Sequence, residues 1–267
     1  MHPMLTIAVK AARRAGSVIN RASRNLDILS VTQKGISDFV SEVDREAEQT
    51  IIRTLLEAYP KHSILAEESG ASGDSEYQWI IDPLDGTTNY LHGFPHYAVS
   101  IALSHKKVIT QAVIYDPVRN DLYTATRGQG AHLNDHRIRV SKRTQFAQCL
   151  IGTGFPYKEF ANIDAFNAIT RDLTQKTAGL RRGGSACLDL AYVAAGRLDG
   201  FFQFGLSPWD IAAGTLLITE AGGLAGDLEG NSTHFESGNI LCAAPKVFSQ
   251  LVQALAPHLT PGLRGKA

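Results

Sequence analysis

The 267-residue chain has an ordinary globular composition, with 44% apolar and 19% charged residues. This length allows one large domain or two small ones with a sizeable buried core. Lysine and arginine together number 26, as do aspartate and glutamate, so the formal net charge is zero. Because a neutral chain has no overall basic field to hold phosphates, we expect no direct nucleic-acid binding.

The cysteines and the amino-terminal segment bear on cellular location. Cys149, Cys187 and Cys242 are widely spaced and form no CxxC pair, which disfavours a disulfide framework or a zinc site and predicts a reducing cytoplasm. No apolar run approaches the roughly 20 residues of a membrane span. The first 26 residues carry basic but no acidic side chains. That pattern is typical of a transit peptide, but the apolar spacing favours an ordinary first helix.

The first half of the chain combines helical periodicity with short apolar runs. Its predicted elements are helices over 4–22 and 37–58, the second capped by Ser37, and strands over 63–66, 77–82, 97–104, 108–116 and 121–126. The links between the last three strands are too short for helical crossovers. These three strands should therefore pair antiparallel.

The second half alternates strands with longer helices. Its predicted elements are strands over 149–152, 199–204 and 240–243 and helices over 160–176, 185–196, 208–221 and 245–256. The change of rhythm near 140–148 predicts a boundary between a domain of residues 1–145 and a domain of residues 146–267, packed as one compact unit.

The segment DPLDGTT directly follows the apolar strand that ends at Asp82. Pro83 keeps Asp82 extended, and a turn after it would bring Asp85 back beside Asp82. Gly86 permits close approach of a ligand. Thr87 can open a helix whose free N–H groups bind an anion.

Two carboxylates held this close need compensation. At about 4 Å and an effective dielectric of about 20 they repel by about 4 kcal/mol, so a cation must bind or one acid must stay protonated. Oxygen ligands without histidine or cysteine indicate Mg²⁺ or Mn²⁺. The arrangement suits metal-assisted phosphoryl transfer. The alternative to a metal site is a surface turn rich in aspartate. The full motif, which directly follows the apolar segment QWII, disfavours this alternative.

Acids elsewhere in the chain support a metal site. Glu67 and Glu68 follow the strand over 63–66, and Asp210 lies in the first turn of the helix over 208–221. Taken separately, each also fits a solvated loop charge or a helix-capping acid.

These motifs together resemble the inositol monophosphatase family, within the superfamily that includes fructose-1,6-bisphosphatases. The resemblance extends over about residues 4–256. Its strongest motifs are WIIDPLDGTTNY at 79–90 and WDIAAGTLLITEAGG at 209–223, supported by KGISDFVSEVD at 34–44, AEESG at 66–70 and GGSACLDLAYVAAGRLDGFF at 183–202. It implies an α+β or α/β layered sandwich (αβαβα), with an antiparallel sheet in the first half and a mixed sheet in the second, and a homodimer.

The resemblance also implies a set of metal ligands. Glu67, Asp82 and the backbone carbonyl of Leu84 would bind a first Mg²⁺. Asp82, Asp85 and Asp210 would bind a second, and Glu67 with water molecules a weaker third. Most ligands then fall in the domain of residues 1–145. Sensitivity to lithium is expected as well.

The resemblance implies catalytic roles for three side chains. Thr87, hydrogen-bonded to Asp44, would help Glu67 orient the attacking water. Gly86 and Thr87 would hold the phosphate. The expected activity is that of a Mg²⁺-dependent phosphomonoesterase acting on inositol 1-phosphate or a similar polyol phosphate.

Substrate contacts are expected from the second half of the chain. Gly184, Ser185 and Ala186 match the substrate-side segment of the family, and Asp210 would also contact the sugar alcohol. Gln203 stands where the family usually has a glutamate that accepts hydrogen bonds from inositol hydroxyls. Glutamine adds a donor and loses the charge, which puts a tight preference for inositol in doubt.

Two alternatives remain open from the sequence. A haloacid-dehalogenase-type phosphatase would use an aspartate nucleophile, but its acids are spaced i, i+2 on the first strand, whereas here they are spaced i, i+3 at residue 82. The second alternative belongs to another class. Some bacterial relatives are partners in transcription antitermination independently of catalysis, so a regulatory role with transcription-machinery partners stays possible.

Overall fold

Two β-sheets alternate with three layers of helices in the computed structural model of this chain. The structure describes residues 2–24, 31–35, 38–156 and 160–264. Among these residues, no helix is long and apolar enough to cross a membrane.

Helices occur in both halves of the chain. They are α1 Pro3–Ala22, α2 Glu42–Ala58, α3 Thr87–Leu91, α4 Ile163–Lys176, α5 Ala186–Ala194, α6 Pro208–Glu220, α7 His234–Ser237 and α8 Pro245–Leu255.

The strands form a hairpin and two sheets. The hairpin is β1 Val31–Gly35 with β2 Asp38–Ser41. The larger sheet contains β3 Ser63–Ala66, β4 Gly70–Ser72, β5 Tyr77–Asp85, β6 Ala98–His105, β7 Val108–Asp116, β8 Asp121–Thr126, β9 Gly130–Leu133 and β10 His136–Arg137. The smaller sheet contains β11 Leu150–Thr153, β12 Gly179–Arg181, β13 Gly200–Gln203, β14 Leu224–Gly226 and β15 Ile240–Ala243.

The larger sheet is predominantly antiparallel, in the order β10-β9-β8-β7-β6-β5-β3-β4. The predicted antiparallel pairing of the strands now labelled β6, β7 and β8 is confirmed. One pair is parallel: β3 runs alongside β5, with Ala66 opposite Ile81. Because parallel neighbours end at the same edge of a sheet, the residues after Ala66 and Ile81 emerge side by side.

The smaller sheet is mixed, in the order β12-β11-β13-β15-β14. β11 pairs parallel with both β12 and β13, whereas β15 pairs antiparallel with β13 and β14. The fold class predicted from the family resemblance is therefore confirmed. The division into two domains at residue 145 stays a prediction.

Alternating side chains bury both faces of the larger sheet. On β5, Trp79 and Ile81 pack with α1 and α2, whereas Ile80 faces the layer of α5 and α6. This two-residue period follows from the strand backbone. The far face of the smaller sheet packs against α4 and α8. The layer order is thus αβαβα.

Close contact between α5 and α6 fixes the middle layer. Gly214 of α6 lies against Leu190 of α5, so that a Cβ on Gly214 would stand 2.5 Å from the Leu190 Cβ. A larger residue at position 214 would push the helices apart. Since both helices begin at the same cavity, this contact helps to position the residues at their first turns.

Several boundaries differ from the sequence prediction, and two of these differences lie close to the acidic motif. The second helix begins at Glu42 rather than at residue 37, because Ser41 caps it and the preceding residues 38–41 form β2. The proposed cap Ser37 lies outside the described residues. The chain also stays in strand conformation through Asp85 instead of turning after Asp82.

Candidate metal centre

A β-bulge brings the two acids of the DPLD segment to one side of the larger sheet. Asp82 pairs with Ser100 and Asp85 with Ala98, so three steps along β5 match two steps along β6. In a regular strand, residues i and i+3 point to opposite faces. The extra residue of the bulge shifts this alternation by one position, so Asp82 and Asp85 point to the same face and both face the middle helix layer. Leu84 instead packs on the side of α1 and α2.

Asp210 reaches the same place from the start of α6. Pro208 and Ser207 begin this helix, and the Ser207 backbone N–H donates to Asp210 Oδ2 at 2.7 Å. A carboxylate is stabilised at this end of a helix by the free N–H groups and the helix dipole. Ligand oxygens of Asp82, Asp85 and Asp210 lie within 4.8 Å of one another and could hold a metal ion.

Glu67 joins the cluster through the parallel strand pair. It follows Ala66 as Asp82 follows Ile81, and its backbone N–H donates to the Ile81 carbonyl at 3.1 Å. Its carboxyl hydrogen-bonds with Asp82. The loop that carries it is held by Glu48 of α2, whose carboxylate accepts the N–H groups of Glu68 and Ser69 at 2.8 and 2.9 Å.

Electrostatics at Asp82 call for a cation. This side chain is only 1% exposed. Burial, followed by the charges of Glu67, Asp85 and Asp210, raises the pKa of Asp82 well above its ordinary value. A bound divalent cation would offset both effects. The donor set consists of oxygen atoms, which fits a hard cation such as Mg²⁺.

The expected hydrogen bond between Thr87 and Asp44 is present. Thr87 Oγ1 lies 3.0 Å from Asp44 Oδ1 and also 3.0 Å from the Leu84 carbonyl oxygen. Asp44 further accepts the backbone N–H and the hydroxyl of Ser41, while burial raises its pKa. A hydroxyl has one proton. When the Thr87 hydroxyl donates its hydrogen bond to Asp44, the Leu84 carbonyl oxygen does not receive that hydrogen bond and can instead bind another donor or a cation.

Gly86 supplies the conformation that the turn into α3 requires. Its φ of +96° lies in the left-handed region, and a Cβ here would stand 3.0 Å from the His96 carbonyl oxygen. The Asn89 side-chain amide donates to the carbonyls of His96 and Gly183 at 2.8 and 3.0 Å. This bridge ties the first half of the chain to the segment that leads into α5.

The predicted substrate residues line one cavity of about 240 Å³ with the acids. Gly86, Thr87, Gly184, Ser185, Ala186, Gln203 and Asp210 all contribute to its wall. Ser185 has a further contact that the sequence did not indicate, because its hydroxyl donates to Asp85 Oδ2 at 2.6 Å. Its role as a substrate contact stays a prediction.

Other lining residues were missed by the sequence analysis. The guanidinium of Arg182 lies 4.9 Å from the centre of the half-exposed Phe155 ring, and both line the cavity with Thr153 and Asp189. Burial raises the pKa of Asp189 well above its usual range. Arg182 belongs to the basic pair Arg181-Arg182, for which a solvated pair was the default interpretation, and Asp189 lies in the motif at 183–202 without an assigned role. Glu48 did carry a signal, since it lies four residues after Asp44 on the apolar side of α2.

Comparisons with known proteins agree with this layered fold and its acidic cluster. The profile described as "Inositol monophosphatase family" matches residues 1–260. The chain is 51% identical over 270 residues to the Nus factor SuhB of Pseudomonas aeruginosa, covering 99% of this chain and all of that protein. The chain belongs to the inositol monophosphatase family. That membership excludes the haloacid-dehalogenase interpretation.

Solved structures give the same assignment. The extragenic suppressor protein suhB from Bartonella henselae superposes with a TM-score of 0.93 at 43% identity, covering 95% of this chain and 98% of that one. The inositol monophosphatase from Anabaena (Nostoc) sp. PCC 7120 superposes with a TM-score of 0.83 at 38% identity, covering 95% of each chain. Within the family, these relatives identify the chain as the extragenic suppressor type.

The raised pKa of Asp82 predicts how pH affects the metal-free protein. At pH values between the ordinary aspartate pKa of 3.8 and the raised pKa, Asp82 is protonated in the folded state and ionised in the unfolded state. Stability should therefore decrease as pH rises through that window. Asp82→Asn should remove this part of the decrease, as measured by urea unfolding in EDTA at several pH values. Asp135→Asn, at an exposed position, is the control, and equal pH slopes for wild type and Asp82→Asn would contradict the prediction.

Proposed function

We propose that this chain is a regulatory partner in transcription antitermination. The observation that carries this proposal is its similarity, over nearly the full length of both chains, to a relative named Nus factor. Such a role implies partners in the transcription machinery and a cytoplasmic location. The location agrees with the three free, buried cysteines, which suit a reducing compartment. A homodimer, the assembly expected from the family, belongs to the same proposal.

We further propose that the acidic centre is a Mg²⁺-dependent phosphomonoesterase. The convergence of three carboxylates within 4.8 Å, beside Glu67 and a small cavity, supports this activity. Glu67, Asp82 and the Leu84 carbonyl would hold one cation, and Asp82, Asp85 and Asp210 a second. A third, weaker cation would use Glu67. When bound, the cations would neutralise phosphate charge and lower the pKa of a water molecule.

The remaining roles fall to the chain's own groups. Thr87, whose hydroxyl donates to Asp44, keeps its oxygen lone pairs free to accept a hydrogen bond from the attacking water. Glu67 would orient that water from the other side. Gly86, which has no side chain, would let the phosphate approach the backbone where α3 begins. These roles rest on the hydrogen bond at 3.0 Å between Thr87 and Asp44 and on the left-handed φ of Gly86.

The substrate we propose is inositol 1-phosphate or a similar polyol phosphate. A cavity of about 240 Å³ is smaller than the roughly 300 to 1,000 Å³ of pockets for drug-sized ligands. Gln203 lies in the wall of this cavity and packs against Gly154. A Cβ atom on residue 154 would collide with the Gln203 amide. Because this amide both donates and accepts hydrogen bonds, it suits hydroxyl groups in either role and sets no strict preference for inositol.

Separating the two roles requires a variant without catalysis. We expect Asp85→Asn to abolish phosphatase activity, because this substitution removes the negative charge of a proposed metal ligand while the shape of the side chain stays nearly the same. In a strain lacking the gene, this variant should still restore growth and terminator read-through from a reporter, provided that its cellular level matches wild type. Glu67→Gln is a second inactive variant that should behave in the same way. Failure of both variants, at normal levels, to rescue would contradict a regulatory role independent of catalysis.

The phosphatase proposal predicts phosphate release that depends on Mg²⁺. Inositol 1-phosphate, glycerol 2-phosphate, histidinol phosphate, fructose 1,6-bisphosphate and adenosine 3′,5′-bisphosphate form a suitable panel, assayed with Mg²⁺, with EDTA and with added Li⁺. We expect polyol phosphates to be hydrolysed with Mg²⁺, inhibition by Li⁺, and a loss of about a hundredfold or more in Asp85→Asn, as for other losses of transition-state charge stabilisation. Asp135→Asn should retain full activity. No hydrolysis of any member with Mg²⁺ would reject the enzymatic proposal.

A further inference from the structure

One oxygen of Asp85 receives three hydrogen-bond donors from the first turn of α5. Asp85 Oδ2 accepts the Ser185 hydroxyl at 2.6 Å, the Cys187 backbone N–H at 2.8 Å and the Cys187 thiol at 2.7 Å. The two side-chain donors stand 4.0 Å apart. This oxygen is therefore saturated by donors from the second half of the chain, and Oδ1 is the oxygen with acceptor capacity left for a cation.

The direction of the thiol hydrogen bond follows from the chemistry of its partner. An ionised carboxylate only accepts hydrogen bonds, so the Cys187 S–H must donate to Asp85. Cys187 is 0% exposed, so bulk water does not reach its thiol. A thiol is a weak donor in water, but a donor to a charged acceptor in a dry site is considerably stronger.

The three donors differ in what a substitution can remove. The Cys187 N–H belongs to the backbone of α5 and persists in any variant that keeps the helix. Ser185 also caps α5, since its hydroxyl oxygen accepts the Leu188 N–H at 3.4 Å. The Cys187 thiol is the side-chain donor that can be removed without changing a helix cap.

We propose that Cys187 is a positioning residue for Asp85. Its thiol holds the carboxylate in the orientation that presents Oδ1 to Asp82 and Asp210, and so strengthens the binding of Mg²⁺ by the centre. Cys187 acts through Asp85 and contacts neither the cation nor the substrate. The inference rests on the proposed Mg²⁺ centre and gives the buried cysteine a role beyond packing.

The test is calorimetric titration of metal-free protein with MgCl₂. Partners that orient metal ligands typically contribute about 10- to 100-fold to metal affinity. Because a thiol is the weaker kind of donor, we expect Cys187→Ala to raise the Kd for Mg²⁺ by about tenfold. Cys187→Ser, which keeps a donor at this position, should restore most of that affinity. The increase in Tm produced by Mg²⁺ should follow the same order.

Cys242→Ala is the matched control for the effects of a small cavity. Cys242 is also 0% exposed, and it lies on β15, an element that carries none of the proposed metal ligands. We expect this variant to lose stability without a change in the Kd for Mg²⁺. An unchanged Kd in Cys187→Ala would overturn the inference, as would equal weakening in Cys187→Ser or in Cys242→Ala. If the wild-type protein itself bound no Mg²⁺, the proposed metal centre would fail together with the inference.

Discussion

Mutual repulsion among closely spaced acids is the constraint on which the rest of the centre depends. Asp82, Asp85 and Asp210 offer ligand oxygens within 4.8 Å of one another. At an effective dielectric of about 20, each such pair repels by roughly 3 to 4 kcal/mol. A fold does not assemble this arrangement by chance, because three different structural devices bring these acids and Glu67 together. The devices are a β-bulge, a parallel strand pair and the first turn of a helix between the two sheets.

Donors from the surrounding layers hold one oxygen of each acid. Leu84 N–H donates to Asp82 Oδ1 at 3.0 Å, α5 donates to Asp85 Oδ2, and Ser207 N–H donates to Asp210 Oδ2. Such preorganisation costs nothing further when a cation binds, which suits electrostatic catalysis.

Local patterns were sufficient for much of the fold and for the identity of the acids. The strands over 108–116, 121–126 and 240–243 have the predicted bounds, because each is an apolar run between strong turn signals. The motif at residues 79–90 identified Asp82 and Asp85 as ligand candidates. The short strands β12 and β14 were missed, since three-residue segments rich in glycine carry no period of their own.

The remaining features depend on contacts between distant residues. The bulge was predicted as a turn, because only pairing with β6 shows that the chain continues as a strand through Asp85. The parallel neighbours β3 and β5 place Glu67 beside Asp82, and no single segment encodes that pairing. Cys187 lies fully buried on α5. Its donation to Asp85 crosses 102 positions of sequence and could not be read from either segment.

The most direct test of the central claim is a crystal structure grown with Mn²⁺, whose anomalous scattering locates the cation. The account predicts a peak coordinated by Asp82, Asp85 and Asp210, with a second peak shared by Asp82 and Glu67. Clear density for the four side chains at saturating Mn²⁺, with no anomalous peak among them, would contradict the account.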